Sequence, residues 1–308
     1  MASLHRKKDN TPVDGPVSTR LKHLFQTNEL SFIMEAHNAL AAKLAERAGF
    51  NAIWASGLTI SASMGLRDAN ELTWTQVLDL VEPMTDFTHT PILLDADSGY
   101  GDFNIFSRFA RKAEACGLAG VCIEDKEFPK RNSFAKTHHA LADIDDFTAK
   151  IRAAKDQQTD PDFCLVARTE ALVAGAAMEE ALERASAYEQ AGADALFVHS
   201  KQSTACEIQE FTRQWNGSIP LVIAPTTYSS TPTAEFDSMG ISAVIWANHG
   251  MRAAVQSMEQ AYNEIYTKRS VAELEKHIAT VESLLSLTQT EELLKTEQKY
   301  TPTNPKAR

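Results

Sequence analysis

A chain of 308 residues and 33.9 kDa is long enough for one large domain or two ordinary ones, and its 44% hydrophobic and 23% charged content is that of a folded globular protein. That balance excludes wholesale disorder, a collagen-like repeat and a small disulfide scaffold. Lysine and arginine number 30 against 41 aspartate and glutamate, a formal charge of −11, and no local basic stripe appears, which argues against nucleic acid as a partner.

No apolar run approaches the ~18 residues that a membrane span needs, and the cationic residues 5–8 are not followed by an apolar segment. Neither a membrane anchor nor a signal peptide is therefore expected, and the cytoplasm is the expected compartment. Cys116, Cys122, Cys164 and Cys206 form no CxxC pair and read as reduced thiols.

In chain order, residues 1–20 are polar, carry Pro12 and Pro16, and read as a loose arm. One pattern then recurs: a helical stretch ends in a small residue and Gly, and a short apolar burst follows. It appears at Gly49 before Ile53 and Trp54, at Gly117 before Val121 and Ile123, at Gly192 before Leu196 and Val198, and at Gly240 before Val244 and Trp246. Gly adopts the left-handed conformation that stops a helix, and the apolar burst is a strand buried on both faces.

Eight such strands are expected, near residues 32–35, 52–56, 92–95, 121–124, 164–168, 195–199, 221–224 and 243–247. Helices lie between them: Leu40, Leu44 and Ala48 share one apolar face, Phe106, Ala110 and Ala113 another, and residues 178–190 are rich in Ala, Glu and Leu. The α/β alternation predicts a (β/α)8 barrel of the TIM type as a single domain over 21–300, with extra C-terminal helices in 271–298 and a frayed tail at 301–308. A doubly wound sheet is the alternative, but the first strand runs into Glu35-Ala36-His37-Asn38-Ala39 without the Gly-rich turn that such a fold announces.

A barrel collects its chemistry at the C-terminal ends of its strands. Asp95 and Asp97 lie two apart and are expected on one side of strand three, with Glu124 ending strand four. Converging carboxylates repel, and an oxygen-only set that needs a counter-charge favours Mg2+ over zinc. Arg168 and His199 end strands five and six and suit a dianionic phosphoryl or phosphonyl group. Lys130, Asn132 and Ser133 lie in a long loop after strand four, placed as a lid would be. Asp68, in Arg67-Asp68-Ala69-Asn70, reads equally well as a turn residue, a helix cap or a site residue. His37, His89, His138, His139 and His249 show no metal-ligand spacing. The pair Trp54 and Trp246 most simply packs the barrel.

Several segments together resemble the phosphoenolpyruvate mutase family: residues 35–38, 54–57, 67–70, 94–101, 124–133, 167–171 and 246–249, in order and spread over most of the chain. That family belongs with the isocitrate lyases. The resemblance implies a dimer of dimers that exchanges the eighth barrel helix between subunits, and Mg2+ held by Asp95, Asp97 and Glu124. It also implies interconversion of phosphoenolpyruvate and phosphonopyruvate as the first step of phosphonate synthesis.

Under that resemblance Trp54, Ser56, Gly57, Leu58 and Ser133 contact the substrate. Arg168, His199 and Asn132 hold the phosphoryl group, Lys130 and Asn132 ride on the gating loop, and Asp68 stands beside the migrating phosphorus. Asn132 separates this chain from the related phosphonopyruvate hydrolases, which resemble Lys-x-Thr-Ser at this point. After Ser133 the chain departs from the family: residues 134–141 replace an expected Gly-Arg stretch and bring in His138 and His139. Phosphonopyruvate hydrolysis is the main alternative. C–C cleavage of the lyase type lacks its Lys-Lys-Cys-Gly-His motif here, and a barrel that had lost catalysis would be expected to lose one of the acids or Arg168.

Overall fold

The computed structural model describes residues 14–135 and 139–301. They divide into two compact units, the first running to Met251 and the second from Arg252. Among the described residues of the first unit, eight parallel strands close into a barrel in sequence order: β1 Ser31–Ala36, β2 Ala52–Ala55, β3 Ile92–Asp95, β4 Gly120–Glu124, β5 Cys164–Thr169, β6 Ala195–Val198, β7 Leu221–Ile223 and β8 Ile241–Trp246. Closure comes from β8 pairing back onto β1, with Phe32 opposite Val244 and Met34 opposite Trp246. A closed ring leaves no unpaired strand edge.

Helix α1 Val17–Gln26 precedes β1; α2 Ala39–Ala48, α3 Gly57–Ser63, α4 Trp74–Phe87, α5 Phe103–Ala115, α6 Ile144–Gln157, α7 Ala171–Ala174, α8 Met178–Gln190, α9 Cys206–Gln214 and α10 Thr233–Ser238 connect the strands, and α11 His249–Lys268 follows β8. All four glycines of the recurrent joint are left-handed, with φ of 90°, 81°, 101° and 76° at Gly49, Gly117, Gly192 and Gly240.

Two apolar clusters hold the barrel. One lies between the strands and the outer helices, with Phe106, Phe109, Phe147 and Tyr188 among its fully buried side chains. The other fills the inside of the ring with Ile33, Trp54, Leu93, Cys122, Val166, Phe197 and Ile245. Leu21, Leu24 and Phe25 of α1 belong to the inner cluster, so this helix plugs the barrel at the N-terminal ends of the strands. Helix α1 starts at Val17, inside the stretch that the sequence reads as an arm. Ser18 and Thr19 tie it to Asp160 and Asp162 at 2.6 and 2.8 Å.

The face of α2 is a correction. Leu40 and Leu44 are 37% and 49% exposed, and the helix turns Ala42 and Ala45 inward instead. Small side chains let it approach β1 and α4 closely, a geometry that outranks the larger apolar residues. Trp54 sits within the ring with its edge on Phe197, and Trp246 stacks on Phe32 with centroids 6.2 Å apart. In the second unit, the region 271–298 forms a 3-10 turn, Leu274–Lys276, then α12 Val281–Leu287 and α13 Thr290–Tyr300. No helix among the described residues is long and apolar enough to cross a membrane.

Candidate active site

A cleft of about 510 Å³ opens at the C-terminal ends of the strands. Trp54, Ser56, Leu58, Asp68, Asp95, Glu124, Lys130, Asn132, Ser133, Arg168 and His199 line it, together with Lys126, Phe134, Phe197, Thr226 and Asn248. Of the residues expected at a site, Gly57 and Asp97 do not reach its wall. Both stand directly behind it: the Gly57 N–H donates to Asp95 Oδ2 at 3.2 Å, and the Asp97 N–H donates to Asp95 Oδ1 at the same distance.

Strand alternation does not explain how Asp95 and Asp97 come together. β3 ends at Asp95, and Asp97 lies in a turn at φ 51°. The carboxylates are neighbours because the chain turns back there, and Gly57 leaves room for them: a methyl group on its α-carbon would lie 2.7 Å from Asp97 Oδ1 and 3.3 Å from Asp95 Oδ2.

Three loops meet around Lys130. Its Nζ lies 2.7 Å from Asp68 Oδ1 and 2.6 Å from Asp97 Oδ1, both off the directions of a good hydrogen bond. Asn132 Nδ2 donates to the other oxygen of Asp68 at 2.5 Å. Burial alone would raise the Asp68 pKa, but Lys130 and Asn132 outweigh it and hold the carboxyl below its ordinary value. Burial has the upper hand at Asp95, which is raised despite Lys130 and Arg168. Asp97 is pushed up to about 7 by burial and by Asp95 and Asp68, against the pull of Lys130. Lys130 itself is held well above its ordinary value: the surrounding acids overcome the cost of burial.

Opposite this group, Glu170 organises the second half of the cleft. It is fully buried and carries four partners. Oε1 accepts from Arg168 Nε at 2.6 Å and lies 2.6 Å from His199 Nδ1, while Oε2 accepts from Ser133 Oγ at 2.7 Å and pairs with Lys126 Nζ at 2.9 Å. Burial would raise the Glu170 pKa, yet Arg168, His199 and Lys126 drive it well below the ordinary value. Arg168 Nη2 also lies 2.9 Å from His199 Nδ1. The ionised Glu170 carboxylate can only accept, so Nδ1 carries the proton and donates it to Glu170; the guanidinium, which only donates, then makes no hydrogen bond to Nδ1 and its contact is a proximity. Nε2 is then the ring nitrogen left for a ligand. Lys126 further donates to Ser133 Oγ at 2.5 Å and to the Arg131 carbonyl at 3.1 Å, fastening the loop after β4 to the strand ends.

Glu170, Lys126 and Asn70 were not singled out from the sequence. Glu170 was visible there as the residue two beyond Arg168, and a charged residue so close to a strand end was the available signal. His139 is buried but does not line the cleft; burial, together with Lys126 and Lys201, lowers its pKa. His138 lies outside the described residues.

The acids suit a hard divalent cation by their chemistry. Asp95, Asp97 and Glu124 offer only oxygen, and Glu124 Oε1 accepts no hydrogen bond, its nearest cation being Lys126 at 3.5 Å. Among the described residues no three acid, histidine or cysteine side chains stand as a ready-made ligand cage. The set fits an ion that keeps much of its water, as Mg2+ does.

A family model described as phosphoenolpyruvate phosphomutase matches residues 21–266. The chain is 49% identical to a phosphoenolpyruvate phosphomutase of Tetrahymena pyriformis over 92% of its own length and 95% of that protein's. The crystal structure of a phosphoenolpyruvate phosphomutase from Streptomyces platensis subsp. rosaceus superposes with a TM-score of 0.91 at 41% identity, covering 94% of this chain and all of that one. A phosphonopyruvate hydrolase solved with oxalate and Mg++ gives 0.89 at 35% identity over 94% of this chain and all of its own.

Proposed function

The chain belongs to the phosphoenolpyruvate phosphomutase family, and from that membership we propose that it interconverts phosphoenolpyruvate and phosphonopyruvate. The observation that carries the reading is the placement of Asp68: an ionised carboxylate held by Lys130 and Asn132 in the cleft that also presents Arg168 and His199. In the forward direction the bond from phosphorus to the enol oxygen breaks and a bond from phosphorus to C3 forms, so the product is an isomer of the substrate. A phosphoryl group in flight is loosely bonded and needs positioning more than covalent help.

Arg168 offers its guanidinium to the phosphoryl oxygens. His199, its Nδ1 proton fixed by Glu170, offers Nε2. Asp68 either takes the phosphorus in line or guides a metaphosphate-like group electrostatically, and both routes need the ionised form that Lys130 and Asn132 maintain. Trp54, Ser56 and Leu58 bound the pyruvate end, with Gly57 behind them. Asp95, Asp97 and Glu124 would hold Mg2+, which when bound supplies Lewis-acid neutralisation of negative charge. The loop carrying Lys130, Asn132 and Ser133 excludes water, which would otherwise take the phosphoryl group by hydrolysis.

The same reading makes the enzyme a cytoplasmic homotetramer, a dimer of dimers that exchanges the helix after β8. Val255, Met258, Tyr262 and Tyr266 of α11 stay exposed in the single chain, as a helix awaiting a neighbour would leave them. Nothing in the chain's acidic charge invites nucleic acid.

The test is 31P NMR of purified protein with Mg2+ and phosphonopyruvate. Growth of the phosphoenolpyruvate signal supports the mutase. Release of inorganic phosphate and pyruvate, with no phosphoenolpyruvate formed, would make this chain a phosphonopyruvate hydrolase instead.

A further inference from the structure

We propose that Asn70 is a positioning residue that couples seating of the loop after β4 to the orientation of Asp97; as a statement about catalysis this rests on the function proposed above. Asn70 lies in the loop between α3 and α4 and spends both ends of its amide on other loops. Its Oδ1 accepts from the Lys130 backbone N–H at 2.7 Å, and its Nδ2 donates to Asp97 Oδ2 at 2.8 Å. The Lys130 side chain takes the opposite oxygen of the same carboxylate, Oδ1, at 2.6 Å.

Asp97 is thus gripped on both oxygens by one residue from each of two loops, and those two residues are bonded to each other. When Lys130 is seated, Asn70 is fixed and Asp97 is aimed. When Lys130 leaves, Asp97 loses one partner directly, and the amide that holds the other is released from its anchor. Asp68, two residues before Asn70, also pairs with Lys130, so the carboxylate beside the reacting phosphorus registers the same event.

Asn70 has a purely conformational alternative, because its φ is 56° and Asn is one of the few residues that tolerate the left-handed region. Glycine tolerates it better. The Asn70→Gly variant therefore keeps the turn and deletes only the two hydrogen bonds, while Asn70→Asp keeps an acceptor for the Lys130 N–H and sets a second carboxylate against Asp97.

The experiment compares backbone amide exchange of the peptide containing Lys130, without substrate, with kcat, KM and product partition on phosphonopyruvate for the wild type and both variants. Asn70→Gly is expected to keep its thermal transition, to exchange faster at Lys130, to lose about ten- to a hundredfold in kcat/KM, the loss of one hydrogen bond to a carboxylate and one from a backbone N–H, and to divert more turnover to phosphate and pyruvate. Asn70→Asp is expected to keep near wild-type exchange and still lose activity. An Asn70→Gly protein with wild-type exchange and wild-type partition, whatever its rate, would overturn the coupling and leave Asn70 a turn residue. The exchange comparison needs no substrate, so it decides the coupling even where the wild type proves to release only phosphate.

Discussion

Asp68 sits under opposing pressures, burial raising its pKa and Lys130 with Asn132 lowering it, and these two partners prevail. Its role is therefore tied to charge, and it stands apart from the acids proposed for the cation. Asp68→Ala is expected to lower turnover by about 10²–10³-fold or more, the range seen when one group that stabilises a transition state is removed, while Mg2+ affinity measured by calorimetry stays nearly unchanged. A large loss of Mg2+ binding in that variant would reassign the residue to the cation. Asn132→Thr removes the Nδ2 donor to Asp68 and is expected to lower the mutase rate about tenfold, the worth of one hydrogen bond to a charged group; an undiminished rate by 31P NMR would overturn the proposal that Asn132 sets this chain apart from a hydrolase. Asp95, Glu124, Arg168 and His199 were legible in the sequence because an apolar burst marks where a strand ends and the rim of a barrel begins. Asp97 was found for the wrong reason, since the strand had already ended and a left-handed turn brings it round. Glu170 and Lys126 stand visibly near strand ends, but their roles, like that of Asn70, depend on partners 7 to 60 residues away along the chain, the distant ones brought together only by the fold.

At the scale of elements, the strands could be read because each is a short apolar run, and four of the eight, β2, β4, β6 and β8, also follow a left-handed Gly; both signals act locally. Helix faces were less legible. In α2 the burial of Ala42 and Ala45 beneath exposed Leu40 and Leu44 depends on how near the neighbouring α4 can come, which no periodicity encodes. That approach is fastened by Glu46, near the end of α2. Its carboxylate accepts from Thr88 Oγ1 and from the His89 N–H, both at 2.7 Å, and pairs with Lys43. Burial would raise its pKa, but these partners bring it down to about 2. A carboxyl depressed in the folded state contributes stability that is present above its ordinary value, near 4.5, and is lost as pH falls towards 2. Glu46→Gln is expected to cost about 1–2 kcal/mol at pH 7, discounted for the partial exposure of the site, and to cost progressively less below pH 4. A difference from wild type that stays constant in thermal melts from pH 7 to pH 3 would show that the carboxylate charge is not what fastens the two helices.

Over the whole molecule, the barrel spends stability at its open mouth. Asp68, Asp95, Asp97 and Glu124 are gathered there with Lys126, Lys130 and Arg168 in little water, and the rest of the ring must carry the cost of their repulsion. The pKa of Asp97 shows the sign. It is raised to about 7 from an ordinary 3.8, so the stabilisation that comes with the neutral form is present below the ordinary value and is lost as pH rises through 7. Without a divalent cation the wild type is therefore expected to melt lower at pH 8 than at pH 6. Removing the charge by Asp97→Asn should raise the cation-free melting temperature at pH 8 by a few degrees, about 1 kcal/mol or more for a protein of this size. Lys130 keeps Asp68 as a partner in that variant at 2.7 Å. Bound cation should reverse the order, because Mg2+ stabilises whichever form holds it by mass action. Adding Mg2+ should raise the wild-type melting temperature and move the Asp97→Asn protein much less. Scanning calorimetry at pH 8 with chelator and with Mg2+ reads both effects. A wild type that melts at the same temperature with and without the ion would remove these acids from the cation site, and an Asp97→Asn protein less stable than the wild type under chelator would show that Lys130 and Asn70 repay the burial of that charge in full.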